Sequence, residues 1–103
     1  METFSITTKE IITDQEIKLI DGCFTPAEAS DIINSILDVK INFHKIQRLS
    51  KTEGNANDIC EYDNSRILEL IDAKHDAKSY FNDARLKGKK LKIESIVTIR
   101  VED

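Results

Sequence analysis

His44 and His75 are the only two imidazoles in the chain, and they are the side chains best suited to general base chemistry near neutral pH. His75 lies in Asp72-Ala73-Lys74-His75-Asp76, where Asp72, one helical turn back, could orient the ring. The competing reading, a run of solvated charges on an exposed helix face, is favoured. His44 adjoins Phe43 and Lys45 and is expected at the surface or at the edge of a core. No catalytic residue is assigned, and the chain is expected not to be an enzyme.

Metal chemistry has one local candidate, Cys60-Glu61-Tyr62-Asp63 taken together with His75, a set that offers both soft and hard donors. Zinc sites usually show tight Cys/His spacing, and none is present, so neither a metal nor a cofactor is expected. Cys23 and Cys60 share no CxxC or CxxH neighbourhood and are expected to be reduced small hydrophobes. Gly22, Gly54 and Gly88 lie too far apart for a phosphate-cradling loop.

Arg85, Lys87, Lys89, Lys90 and Lys92 form a run of five positive charges with no acid between Asp83 and Glu94, and Tyr80 and Phe81 stand just upstream. Such a run could hold phosphates, with the rings as stacking partners. The same bases also suit a helix end and a solvated strand edge. Glu53, Asp58, Glu61 and Asp63 carry the opposite sign, which suggests electrostatic pairing within the chain or between subunits.

Positioning these groups requires a fold, and the clearest element is the last. Leu91, Ile93, Ser95, Val97, Ile99 and Val101 alternate with Lys92, Glu94, Ile96, Thr98 and Arg100, the period of two that puts one row on each face of a sheet. Upstream, Phe4, Ile6, Thr8 and Ile12, then Ile17 and Leu19, read as two short strands turning near Thr13-Asp14-Gln15 and broken at Asp21-Gly22. Thr25-Pro26-Ala27-Glu28 carries a capping box with proline at the first helical position. It starts a helix with Ala29, Ile32, Ile33, Ile36 and Leu37 as the expected buried stripe. Over residues 39–49 both periods fit. Ile46 and Leu49 extend the helical series, so a helix, kinked near Lys40 to Asn42, is favoured.

Residues 50–64 show little periodicity and are expected to be a long acidic loop. Asp63 or Asn64 then caps a second helix in which Ile67, Leu70, Ile71, Ala77, Phe81 and Ala84 recur, ending at Gly88. The expected architecture is a single α+β domain over residues 1–103. It is a two-layer sandwich, with a small antiparallel sheet in the order strand-strand-helix-helix-strand covered on one face by two helices.

The chain has 103 residues, 40% of them hydrophobic and 33% charged, which is a globular composition. Its net charge of −4 disfavours bulk attraction to nucleic acid or anionic membrane. No apolar run is long enough for a membrane helix, and Met1 to Thr8 lacks the basic start and apolar block of a signal peptide. The expected location is the cytoplasm.

In Ile20-Asp21-Gly22-Cys23-Phe24-Thr25-Pro26-Ala27-Glu28-Ala29, Lys40-Ile41-Asn42-Phe43-His44 and Gly88-Lys89-Lys90-Leu91-Lys92-Ile93, the chain resembles a group of small bacterial proteins with no assigned activity. The likeness spans most of residues 17–101 and implies a compact cytoplasmic bacterial domain. No site residue can be carried across from it.

Ile96 is out of phase with Val97, Ile99 and Val101 and is expected to lie exposed on the polar face of the last strand. A second copy could cover it or pair with the sheet edge. The expected function is therefore a non-enzymatic protein–protein interaction module acting as a homodimer, using the sheet face or edge together with the long loop. The alternative is binding of nucleic acid or phosphate groups through Arg85, Lys87, Lys89, Lys90 and Lys92.

Overall fold

The computed structural model describes residues 13–102. Four elements follow in order: strand β1 (Gln15–Phe24), helix α1 (Pro26–Gly54), helix α2 (Glu61–Leu86) and strand β2 (Leu91–Ile99). The class is α+β, as the sequence predicts. The strand expected within residues 4–12 lies outside the described residues. The chain divides into two compact units, a strand unit ending at Gly22 and resuming at Lys92, and a helical unit from Cys23 to Leu91.

In the strand unit, β1 and β2 pair with each other. Lys92 Nζ donates to Asp21 Oδ1 at 3.0 Å and Arg100 Nε to Asp14 Oδ2 at 3.1 Å. Partner numbers fall on one strand as they rise on the other, which is the antiparallel arrangement. Asp21-Gly22 does not break the strand; β1 runs on to Phe24. The inward row of β1 also differs from expectation. Ile20 is buried whereas Ile17 and Leu19 are exposed. With a period of two, placing one neighbour inside turns the other outward, and the run Ile17 to Ile20 offers apolar side chains to both faces. On β2, half-buried Leu91, Ile93 and Ser95 alternate with exposed Lys92, Glu94 and Ile96, as predicted, but Val97, Ile99 and Val101 of the same expected row are exposed and the strand ends at Ile99.

The helical unit is an antiparallel pair. Thr25 opens α1 with a reciprocal cap: its Oγ1 accepts from Glu28 N at 3.1 Å, and Glu28 Oε1 accepts from Thr25 N at 2.9 Å. Pro26 takes a position where no N–H is needed. The helix then runs unbroken for 29 residues, about 43 Å. Residues 39–49 are helical, and the expected loop over 50–64 shrinks to residues 55–60. Ser50 to Gly54 carry no apolar stripe, yet continuing an existing helix adds one hydrogen bond for each residue fixed and needs none. Thr52 Oγ1 bonds back to the carbonyls of Arg48 and Leu49.

Neither Asp63 nor Asn64 caps α2. The cap position belongs to Cys60, in the left-handed region at φ 51° and ψ 46°. At the other end Gly88, at φ 64°, ends α2 as predicted. Its N–H bonds to Arg85 O and that of Lys89 to Ala84 O, the pair of bonds that defines a left-handed helix stop. Between the helices, Ile41, Ile67 and Leu70 form the core with Leu37 packed against them. Burying an Ile or Leu side chain of this kind stabilises by roughly 1.5–3 kcal/mol.

Candidate interaction surface

Two apolar rows run along α1. The row facing α2 holds Leu37 and Ile41 and continues into His44 and Arg48, which meet Asp63 and Asn64 of α2. The second row holds Ile32, Ile36, Val39, Phe43 and Ile46, at spacings of four, three, four and three. Val39 stands two residues from both Leu37 and Ile41, about 200° around the cylinder, so this row occupies the face turned away from α2. Beyond half-buried Ile32 it is open to solvent: Val39 is 71% exposed, Ile46 65%, Phe43 46% and Ile36 39%. Leu49, one turn on, is 61% exposed. Together these side chains present on the order of 500 Å² of apolar surface, the size of the largest patch on an ordinary monomer, which is often functional. Lys40 Nζ sits 4.6 Å from the centre of the Phe43 ring, a cation held against its face.

A buried polar node fixes how α1 meets α2. His44 and Asp63 are 1% and 2% exposed, and His44 Nδ1 lies 2.9 Å from Asp63 Oδ1. An ionised carboxylate only accepts, so Nδ1 carries the hydrogen. Lys51 Nζ donates to the other oxygen, Oδ2, at 2.7 Å. The hydrogen bonds from His44 and then Lys51 hold the Asp63 carboxyl below the usual carboxylate range, against the opposing effect of burial. The same bond to Asp63 raises the Lys51 ammonium. His44 Nε2 is buried without a hydrogen-bond partner among the described residues, with the rings of Phe43 and Tyr62 edge-on at 5.2 and 5.8 Å. Arg48 Nη1 donates to Asn64 Oδ1 at 2.9 Å beside this node.

His44 is therefore not the surface or core-edge residue the sequence suggests. The signal was present in the spacing of Leu37, Ile41, His44 and Arg48 at four, three and four, matched by Asp63, Ile67 and Leu70. Asp63, expected on an acidic loop surface, is instead enclosed in the first turn of α2. His75 is exposed and has no bond to Asp72 among the described residues. It lies twelve residues beyond Asp63 on one helix, about 18 Å away along the axis, so it does not join Cys60 and Asp63. No cluster of three metal-ligating side chains occurs among the described residues. Both cysteines are free thiols; Cys60 is buried, which together with nearby Asp58 pushes its thiol pKa up, and Cys23 is exposed.

The basic run is divided rather than continuous. Arg85 turns into a cleft shared with Lys74 and Lys78. Lys87, Lys89 and Lys90 border a different hollow with Tyr80, where Lys87 also pairs with Asp83 at 3.6 Å. Lys92 pairs with Asp21 on β1. No ion pair joins Arg85, Lys87, Lys89 or Lys90 to Glu53, Asp58, Glu61 or Asp63 among the described residues, because the two groups sit at opposite ends of a helix about 39 Å long. Ile96 is 61% exposed. Since Asp21 and Lys92 share a face of the ribbon, the period of two places Ile17, Leu19 and Ile96 on that same face.

Comparison with protein-family models, curated proteins and solved structures finds no match to this chain. Among the described residues, no helix is long and apolar enough to cross a membrane.

Proposed function

We infer that the chain is a protein–protein interaction module that acts as a homodimer, with the outward face of α1 as its contact. The observation that carries this is the apolar row Ile32, Ile36, Val39, Phe43 and Ile46, half-buried at Ile32 and exposed over the rest. Its spacing averages 3.5 residues, the repeat that lets two helices interlock side chain into gap along a shared seam. An identical helix offers the matching repeat, and a two-fold axis uses the same patch on both copies. Ser35, Asn42 and Gln47 flank the row, and Lys40, set against the Phe43 ring, is the one charge beside it. An apolar area of on the order of 500 Å² per chain, enlarged by polar rim, approaches the roughly 800 Å² per partner of a stable interface. The exposed Ile17, Leu19 and Ile96 of the ribbon form a smaller second patch.

A binding role also fits the enclosure of His44. An imidazole 1% exposed cannot reach a substrate; its bond to Asp63 instead sets the register between α1 and α2.

Sedimentation velocity over a micromolar concentration series tests the reading. The wild-type chain is expected to sediment as a dimer, and a Val39→Lys/Ile46→Lys variant as a monomer with unchanged helical circular dichroism. A wild-type chain that remains monomeric to about 100 μM, weaker than the affinity of functional interfaces in general, overturns it.

A further inference from the structure

A cleft of about 440 Å³ lies along the helical unit between the first turns of α1 and the last half of α2, lined by Pro26, Ala27, Ser30, Asn34, Lys74, Lys78, Phe81, Asn82 and Arg85. Its volume falls in the range of small-molecule sites. Lys74, Lys78, Phe81 and Arg85 recur at four, three and four residues and so share one face of α2. Three cations thus line about 16 Å of one helix face, on a wall that holds no carboxylate, in a chain whose acids outnumber its bases by 19 to 15. Lys74 is held by Asp38 at 2.7 Å, while Lys78 and Arg85 have no ion pair among the described residues. Ser30, Asn34 and Asn82 add neutral hydrogen-bonding groups, and the start of α1 contributes the positive end of its dipole. Half-buried Phe81 and Pro26 supply apolar wall.

We propose that this cleft binds a small organic phosphate, with the phosphate held by Lys78 and Arg85 and a flat apolar portion laid against Phe81. A guanidinium and an ammonium suit phosphate oxygens, the first as a fork and the second as a point charge. Lys78 and Arg85 stand two turns apart, about 10 Å along the axis, a span that suits a small ligand, and the next base, Lys87, is paired with Asp83. The face is the groove beside α2, on a different side of α1 from Val39 and Ile46, so this site stands apart from the proposed dimer contact.

Titration of the full chain with ADP and, separately, inorganic phosphate, followed by amide chemical shifts, tests it. ADP is expected to shift Ala27, Lys78, Phe81 and Arg85 saturably with a dissociation constant between about 10 μM and 1 mM, and inorganic phosphate to bind roughly tenfold more weakly. Lys78→Glu/Arg85→Glu is expected to abolish both without loss of helicity. Phe81→Leu, which keeps an apolar side chain but removes the flat ring, is expected to weaken ADP alone. Absence of saturable shifts to about 10 mM, equal affinity for the two probes, indifference to the charge reversals, or tighter binding of a single-stranded oligonucleotide than of ADP would each overturn the proposal.

Discussion

His44 Nδ1 and Asp63 Oδ1 meet at 2.9 Å across nineteen residues of sequence, both side chains almost wholly enclosed. The bond joins the last third of α1 to the first turn of α2, and Lys51 completes it from the solvent side. Removing Asp63 leaves buried His44 with no hydrogen bond, and removing His44 leaves Asp63 Oδ1 unpaired while Oδ2 keeps its bond from Lys51; exchanging both for apolar groups strands neither. His44→Ala is therefore expected to lower stability by about 2–4 kcal/mol in urea denaturation, from the lost bond and the cavity together. The double variant His44→Leu/Asp63→Leu is expected to recover part of that loss. A strictly additive double-mutant cycle would contradict the pairing.

The same node fixes a pH dependence. Asp63 has a depressed folded-state pKa, so its contribution is full above the ordinary carboxylate value of about 4 and is lost as pH falls from there through the lower folded value. Lys51 has a raised pKa; its contribution is full below about 10.4 and is lost as pH rises through the higher folded value. Thermal melts from pH 2 to 5 are expected to show a steeper acid fall for wild type than for Asp63→Asn. Parallel curves would contradict this.

Gly88 ends α2 at φ 64° with open space where a side chain would stand. Gly88→Ala thus meets no clash and suffers only the left-handed backbone cost, about 1 kcal/mol. Gly88→Asn is expected to cost less, since asparagine tolerates that region. Chemical denaturation of the two variants checks the order.

How much of this was legible in the sequence follows from where the information is local. Thr25-Pro26-Ala27-Glu28 and Gly88 are complete signals within four or five residues, and both helix ends fell where those residues put them. The C-terminal end of α1 was not legible. Ser50 to Gly54 are held by helix continuation, by Thr52 bonding backward and by Lys51 reaching Asp63, two of which are not composition signals. Ile17 to Ile20 gave the strand but not its inward face, because either row is apolar enough. The burial of His44 and Asp63 is hidden from the sequence for the same physical reason. A polar residue reads as exposed until its partner, here nineteen residues away, is placed beside it.

Salt separates the two proposed binding sites. The α1 contact is apolar, and its dimerisation constant is expected to change less than about threefold between 50 and 500 mM salt, whereas phosphate binding in the cleft weakens steeply over that interval. A dimer that dissociates with salt would point to charge pairing instead.

The central claim is that the outward row of α1 meets its own copy. Intermolecular nuclear Overhauser effects in a mixed sample of ¹³C-labelled and unlabelled chains read this contact at the level of single side chains. The account predicts cross-chain signals among Val39, Phe43 and Ile46. Signals confined to Ile17, Leu19 and Ile96 of the ribbon, or no cross-chain signals at all in a concentrated sample, would contradict it.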